Sequence, residues 1–172
     1  MGFNEKTVKE NYIYKGKILS LKNDVVELDN GKKANREIVE HLGGSAILCV
    51  KDNKVLLEKQ FRYAYKKVLW EIPAGKLNVG EDPMQTAVRE LEEECGIKAT
   101  KVSFLAEVYP LPGYTNEIIR IFKVEDFVSS TTNFDEDEFL ECEWVDLSTA
   151  KQMIKNGDIK DAKTLIALLS VL

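Results

Sequence analysis

The chain has one histidine, three cysteines and four prolines among 172 residues, and this scarcity excludes several kinds of chemistry. Catalysis by a Ser–His or Cys–His pair would depend on His41 alone, and we interpret His41 as a structural residue. Cys49, Cys95 and Cys142 form an odd, widely spaced set that fits no disulfide framework and no zinc motif. We therefore expect three buried, reduced thiols.

Long apolar segments are also missing. Residues 1–16 lack the apolar run of roughly 7–15 residues of a signal peptide, and no segment approaches the ~20 apolar residues of a membrane helix. We therefore expect no membrane association and a cytoplasmic location. The net charge of −5 argues against a nucleic-acid binder, which needs a basic face, but it allows a small anionic ligand held by a metal and a few arginines.

The first part of the chain contains short strand-like segments. Residues 12–21 alternate around a glycine, residues 24–31 end in an Asp-Asn-Gly turn signal, and residues 33–41 return. This pattern predicts a small antiparallel sheet ahead of the main fold. We assign residues 1–42 to an N-terminal β extension and residues 43–172 to the main domain.

The main domain combines apolar strand-like runs with three predicted helices, which is an α+β pattern. The predicted strands are residues 44–50, 54–60, 102–109, 117–124 and 139–146. The predicted helices are a central one after Asp82, one over 149–156 capped by Ser148, and one over 162–171 capped by Asp161.

The central helix has clear end signals. Asp82 is a suitable N-cap, Pro83 fits the first helical position, and Gly96 provides the C-terminal stop. The helical spacing predicts an apolar face formed by Met84, Val88, Leu91 and Cys95. On the opposite face it predicts a cluster of three carboxylates, those of Glu90, Glu93 and Glu94.

Like charges at this spacing repel, so the acidic face needs a compensating partner. Hard divalent cations such as Mg²⁺ take oxygen ligands and would offset the repulsion. An isolated acidic run is more often a solvated surface, but this one belongs to a 23-residue pattern. The pattern consists of Gly75, Glu81, Arg89-Glu90-Leu91, Glu93-Glu94 and Gly96-Ile97. It resembles the Nudix box without a departure.

The resemblance implies a fold and a metal centre. Nudix proteins have an α/β/α sandwich around a mixed β-sheet, here with the N-terminal antiparallel extension added. By resemblance, two or three Mg²⁺ ions, with Mn²⁺ as an alternative, would neutralise a diphosphate and activate a water molecule. The implied metal ligands are Glu90, Glu93, Glu94 and the backbone carbonyl of Ala74. Arg89 would orient the acidic cluster, with Glu81 as a supporting residue.

Segments outside the box resemble the branch of the family that acts on ADP-ribose and other nucleoside-diphosphate sugars. Arg62, in a Gln-Phe-Arg-Tyr segment, would grip the diphosphate, and Glu71 would bind a ribose hydroxyl. Pro112 lies sixteen residues after Gly96, at the position that marks ADP-ribose specificity in that branch. Arg36 would contact the ligand near a dimer interface.

The resemblance also implies a homodimer in which the N-terminal strands cross to the partner and the purine stacks on an aromatic ring. Tyr12 and Tyr14 are both candidates for that ring. An acidic loop at residues 135–138 would supply the general base, by alignment Glu136, and Glu138 as a further metal ligand. A slip of one or two residues exchanges these roles, and Glu93 is the base if neither residue serves.

We therefore expect metal-dependent hydrolysis of ADP-ribose to AMP and ribose 5-phosphate. One alternative is the same reaction on another nucleoside-diphosphate sugar or on a dinucleotide. An alternative of another class is a non-enzymatic nucleotide sensor that keeps the fold and regulates a partner. The retained carboxylates Glu90, Glu93 and Glu94 favour the enzyme.

Overall fold

The computed structural model describes residues 4–134 and 139–172. These residues divide into two compact units: one comprises residues 4–43 and 109–118, the other residues 44–108, 119–134 and 139–172. Among the described residues, no helix is long and apolar enough to cross a membrane.

The first unit is an antiparallel four-stranded sheet. Its strands are β1 (Glu5–Lys9), β2 (Tyr12–Lys15), β3 (Leu19–Leu28) and β4 (Lys33–His41). Strand β3 lies between β1 and β2 in the hydrogen-bonded order and also pairs with β4. The β3–β4 turn places Gly31 at φ 76°, a backbone conformation that glycine adopts without strain, so the turn predicted there is confirmed.

Residues 109–118 belong to the first unit because they attach to β4. The backbone N–H of Val39 donates to the carbonyl of Tyr114 (2.7 Å), and the Asn116 side chain accepts from the N–H of His41 (2.9 Å). The sequence did not predict this attachment, since the two segments are separated by the whole first half of the second unit.

The second unit contains two four-stranded sheets. One is mixed, with the order β10-β11-β5-β9 and a single parallel pair, β5 with β11. The other is antiparallel, with the order β12-β7-β6 and β8 also pairing with β7. The strands are β5 (Gly44–Leu48), β6 (Val50–Lys51), β7 (Lys54–Arg62), β8 (Lys67–Glu71), β9 (Ala74–Lys76), β10 (Ile97–Val108), β11 (Ile119–Ser129) and β12 (Leu140–Asp146).

The buried core consists of two clusters, and neighbouring side chains along the central strands belong alternately to one cluster and the other. Leu48 and Ile121 belong to the cluster that includes Leu168 of α3 (Ala162–Leu169) and Ala150 of α2 (Leu147–Asn156). Their neighbours Ile47 and Phe122 belong to the cluster that includes Leu91 of α1 (Pro83–Cys95). Because successive side chains of a strand point to opposite faces, helices cover both faces of the sheet. The expected α/β/α arrangement is confirmed.

Two local predictions were wrong. Helix α2 begins at Leu147 after Asp146, and Ser148 lies inside the helix rather than capping it. Cys95 and Cys142 form a disulfide with their Cα atoms 5.8 Å apart, whereas Cys49 is the buried free cysteine. Sequence spacing missed this disulfide because Cys95 and Cys142, 47 residues apart, meet only through the packing of α1 against β12.

Candidate metal centre on helix α1

Helix α1 has firmly bonded ends. The Asp82 carboxylate accepts hydrogen bonds from the backbone N–H groups of Met84 (3.0 Å) and Gln85 (3.1 Å), which would otherwise lack partners. Gly96 adopts the left-handed conformation, with φ 62°, and its N–H bonds back into the last turn. The predicted caps are confirmed, and they set where the carboxylates of the helix point.

The helix is rotated relative to the sequence prediction. Met84 is 44% exposed, whereas Glu90 and Glu94 are buried beside Ala87 and Leu91. The carboxylates therefore do not face away from the protein on the side opposite the apolar stripe. Two of the acidic side chains lie in the interior, where a negative charge needs a compensating charge or donor.

Strand β9 makes room for Glu90. A Cβ atom built on Gly75 would lie only 1.7 Å from Oε1 of Glu90, so only glycine fits beneath this carboxylate. Ala74, the preceding residue, is half-buried in the same strand, which contacts α1. The box glycine thus brings the backbone at Ala74 and Gly75 close to the first acidic residue of the box.

A single arginine bonds to three carboxylates of the box. Arg89 donates from Nε to Glu81 (3.0 Å) and from Nη1 to Glu93 (2.7 Å), and its Nη2 lies 2.9 Å from Oε1 of Glu90. The hydrogen bond from Arg89 lowers the pKa of Glu81 to about 2. Burial lowers the pKa of Arg89, but its bonds to Glu81 and Glu93 outweigh burial and raise it. Arg89 therefore holds the acidic cluster in one arrangement.

Sequence reasoning missed Glu58, a buried acidic residue that faces the helix from β7. Its side chain is fully buried, and its carboxyl group interacts with that of Glu94, whereas no N–H group within the described part of the chain donates to it. Burial, reinforced by the charge of Glu71, raises the pKa of Glu58 to about 8. The only signal in the sequence was its place directly after the apolar run Val55–Leu57 in a central strand.

These residues fit a hard divalent cation. Glu90 and Glu94 offer carboxylate oxygens, the ligand type that Mg²⁺ and Mn²⁺ prefer. Gly75 leaves the space that Glu90 occupies, and the carboxyl pair of Glu58 and Glu94 places negative charge in the interior. A cation or a proton must offset that charge.

A second polar cluster is centred on Glu71 at the end of β8. Arg62 donates two parallel hydrogen bonds to its carboxylate, at 2.7 and 2.8 Å, and Lys163 also donates to it. Lys163 lies 3.1 Å from Asp161, the N-cap of α3. Thr164 accepts a hydrogen bond from the backbone N–H of Ile72 (2.9 Å) and so ties α3 to this strand end.

The cluster keeps Glu71 ionised. Burial raises the pKa of Glu71, but the hydrogen bonds from Arg62 and the charge of Lys163 outweigh burial and lower the pKa to about 2. The Arg62 side chain is 37% exposed, so part of this side chain faces solvent. Sequence reasoning identified Arg62 and Glu71 but missed Lys163, whose contact with Glu71 spans 92 residues.

Comparison with known proteins shows the family to which the chain belongs. A family model described as NUDIX domain matches residues 39–168. The chain belongs to the NUDIX domain family. A second model, described as nucleoside diphosphate sugar hydrolase N-terminal domain, matches residues 5–39.

Two relatives and one solved structure match this Nudix protein over nearly its whole length. The chain is 42% identical to an ADP-ribose pyrophosphatase of Bacillus subtilis, over 95% of this chain and 90% of the relative. It is 40% identical to a methanol dehydrogenase activator of Bacillus methanolicus, over 96% and 91%. A crystal structure titled as an ADP compounds hydrolase superposes with a TM-score of 0.86 at 20% identity, over 98% and 92%, which shows the shared fold.

The remaining predicted site residues of this Nudix protein are Arg36, Pro112, Glu136 and Glu138. Arg36 is a half-buried residue of β4 that forms an ion pair with Glu5 and donates to the carbonyl of Asn35 (2.9 Å). Pro112 lies in the segment attached to β4, in the first unit. Glu136 and Glu138 lie outside the described residues.

Proposed function

We propose that this Nudix protein hydrolyses the diphosphate bond of ADP-ribose to give AMP and ribose 5-phosphate. The observation that carries the proposal is the packing of Glu90 against Gly75, with Glu94 and Arg89 on the same helix. The relative named ADP-ribose pyrophosphatase, 42% identical over nearly the full length, supports the choice of substrate.

We propose Mg²⁺ as the cofactor, with Mn²⁺ as a substitute, held by Glu90, Glu94 and the backbone carbonyl of Ala74, with Glu138 as a further ligand. Bound metal ions would supply neutralisation of the diphosphate and activation of water. Arg89 fixes the positions of Glu90 and Glu93 through its ion pairs. Glu136 is the proposed general base, and Glu138 and Glu93 are the alternatives.

Substrate contacts are proposed for Arg62 and Glu71. The guanidinium of Arg62 is held by two hydrogen bonds to Glu71, and the part that faces solvent would bind a diphosphate oxygen. Glu71 would then orient Arg62 and accept from a ribose hydroxyl. In the first unit, Arg36 and Pro112 are the proposed further contacts.

We also propose that the protein is a cytoplasmic homodimer joined through an N-terminal extension of residues 1–42. Several large apolar side chains of this segment are exposed, and burial against a partner would remove them from water. They include Val8, Ile13, Tyr14, Ile18 and Leu42.

A second candidate function is regulation of another enzyme. The relative named methanol dehydrogenase activator is 40% identical over nearly the whole chain, which favours this candidate over an unspecified sensor. A protein of this kind would use nucleotide binding to change a partner, and its effect would survive loss of hydrolysis.

The test is product analysis on a panel of nucleoside-diphosphate derivatives with Mg²⁺, with and without EDTA. We expect AMP from ADP-ribose, abolished by EDTA, and a loss of at least about a hundredfold in kcat for Glu94→Gln. Glu92→Gln is the matched control on the same helix, because Glu92 bonds to Ser130 instead (2.7 Å). Metal-dependent cleavage of another member only would contradict the assigned substrate, and no cleavage at all would favour the regulator.

A further inference from the structure

We propose that Glu58, Cys95 and Cys142 form a buried binding site for a thiophilic divalent cation of the Zn²⁺ type once the Cys95–Cys142 disulfide is reduced. Two of its three ligands are sulfur, so its metal preference differs from that of the carboxylate centre on α1, which Glu58 borders through its contact with Glu94. It does not rest on the proposed hydrolysis of ADP-ribose.

The three residues come from three different elements. Cys142 of β12 is the direct cross-strand partner of Glu58 of β7, and Cys95 is the last residue of α1. One ligand atom from each, a carboxylate oxygen and two sulfurs, all lie within 4.8 Å of one another. A zinc ion with sulfur at about 2.3 Å and oxygen at about 2.0–2.2 Å spaces its ligands by about 3.5–3.8 Å, so small side-chain shifts suffice.

The state of Glu58 is the independent observation that points to a cation. Its carboxyl group is fully buried, and no N–H group among the described residues donates to it. Carboxylate oxygens are metal ligands in proteins, so a buried carboxyl group that lacks such a donor can bind a cation. Two cysteines and one carboxylate are also the donor types that zinc accepts in proteins, with an open fourth position for water or another ligand.

Reduction of the disulfide by a low-molecular-weight thiol opens the site. Two molecules of that thiol supply two electrons and two protons: the Cys95–Cys142 bond breaks, each sulfur becomes a thiol, and the reductant becomes a disulfide. Sγ of Cys142 lies 3.4 Å from the Glu94 carbonyl oxygen, which accepts a hydrogen bond from the Cys142 thiol in the reduced state. Binding of the cation releases the protons of the two thiols and of the Glu58 carboxyl group to solvent.

The experiment uses the full chain, reduced, metal-free and kept free of oxygen, titrated with Co²⁺ as a spectroscopic probe. We expect a near-ultraviolet thiolate-to-cobalt charge-transfer band that saturates at one Co²⁺ per chain and disappears when Zn²⁺ is added. The oxidised protein should show no band. A reduced protein without the band would overturn the proposal.

Variants identify the ligands. Cys95→Ser and Cys142→Ser should lose the band, whereas Cys49→Ser should retain it, because Cys49 is a free cysteine outside the proposed site. Glu58→Gln should keep the thiolate band and bind Co²⁺ about tenfold or more weakly. Circular dichroism checks folding of each variant.

A band that survives both single serine substitutions, or an unchanged affinity in Glu58→Gln, would contradict the three-ligand site. Glu90→Gln should keep the band, which separates this result from any failure of the carboxylate centre.

Discussion

Glu71 is a buried carboxylate held between two cations, Arg62 and Lys163. With one cation on each side and hydrogen bonds to both oxygens, its charge is compensated inside the protein. Breaking such a buried pair leaves uncompensated charge, which costs more than the loss of a surface ion pair. The residue therefore affects both stability and the position of Arg62.

The pH dependence of stability follows from the lowered pKa of Glu71, about 2 against an ordinary value of 4.5. Because the folded-state pKa lies below the unfolded-state value, the contribution is present above pH 4.5 and is lost as the pH falls toward 2. Its size is about 3 kcal/mol, an order-of-magnitude figure. In urea unfolding between pH 5 and pH 2, Glu71→Gln should lose correspondingly less stability than the wild type, starting from a lower value at neutral pH.

The control for this prediction is Glu141→Gln. Glu141 lies on the surface 3.8 Å from Lys59, and an exposed pair of this kind contributes little. Its pH profile should match the wild type. A Glu71→Gln profile parallel to that of the wild type across the same window would show that Glu71 is not the group responsible.

At the residue scale, the sequence located the site where the roles are local. The motif identified Arg89 and its three acidic partners, Glu81, Glu90 and Glu93, all within one stretch of chain. It did not identify Glu58 or Lys163. Glu58 contacts Glu94, which lies 36 positions away in the chain, and Lys163 contacts Glu71, which lies 92 positions away. No local sequence pattern predicts contacts over such separations.

At the scale of elements, the junction of β9 and α1 determines how the acidic helix is oriented. The helical period correctly predicted a helix with Asp82 and Gly96 at its ends. It misplaced the buried face, because Gly75 leaves a gap that admits the Glu90 side chain between helix and strand. Packing against a neighbouring strand thus overrode the apolar stripe.

Gly75→Ala tests this arrangement. The added Cβ would lie 1.7 Å from the present position of Oε1 of Glu90, so the carboxylate must move away from β9. We expect Mn²⁺ affinity, measured by titration calorimetry, to fall about tenfold or more while the far-ultraviolet circular dichroism stays unchanged.

Gly113→Ala is the matched control, because an added Cβ at Gly113 meets nothing within 4 Å. Its Mn²⁺ affinity should equal that of the wild type. Equal affinity in Gly75→Ala as well would show that the position of Glu90 does not govern metal binding.

At the scale of the whole molecule, we predict that the N-terminal sheet joins two copies of the chain. Sedimentation equilibrium should give twice the monomer mass of 19.5 kDa. Ile13→Lys, at a position 58% exposed on β2, should shift the protein toward the monomer because a lysine charge opposes burial at an interface. Val128→Lys, at a position 52% exposed on β11, should leave the mass unchanged. A wild-type monomer would contradict the prediction.

The α+β pattern and the acidic helix with its caps follow from the sequence alone, because each depends on short-range spacing and on the periodicity of apolar residues. The α/β/α arrangement was implied by the resemblance of the 23-residue pattern to the Nudix box. Tertiary structure decided the rest. It oriented Glu90 and Glu94 inward, placed Lys163 on Glu71, and joined Cys95 to Cys142 opposite Glu58. These contacts depend on how strands and helices distant in the chain pack together, and packing is a property of the whole fold rather than of any segment.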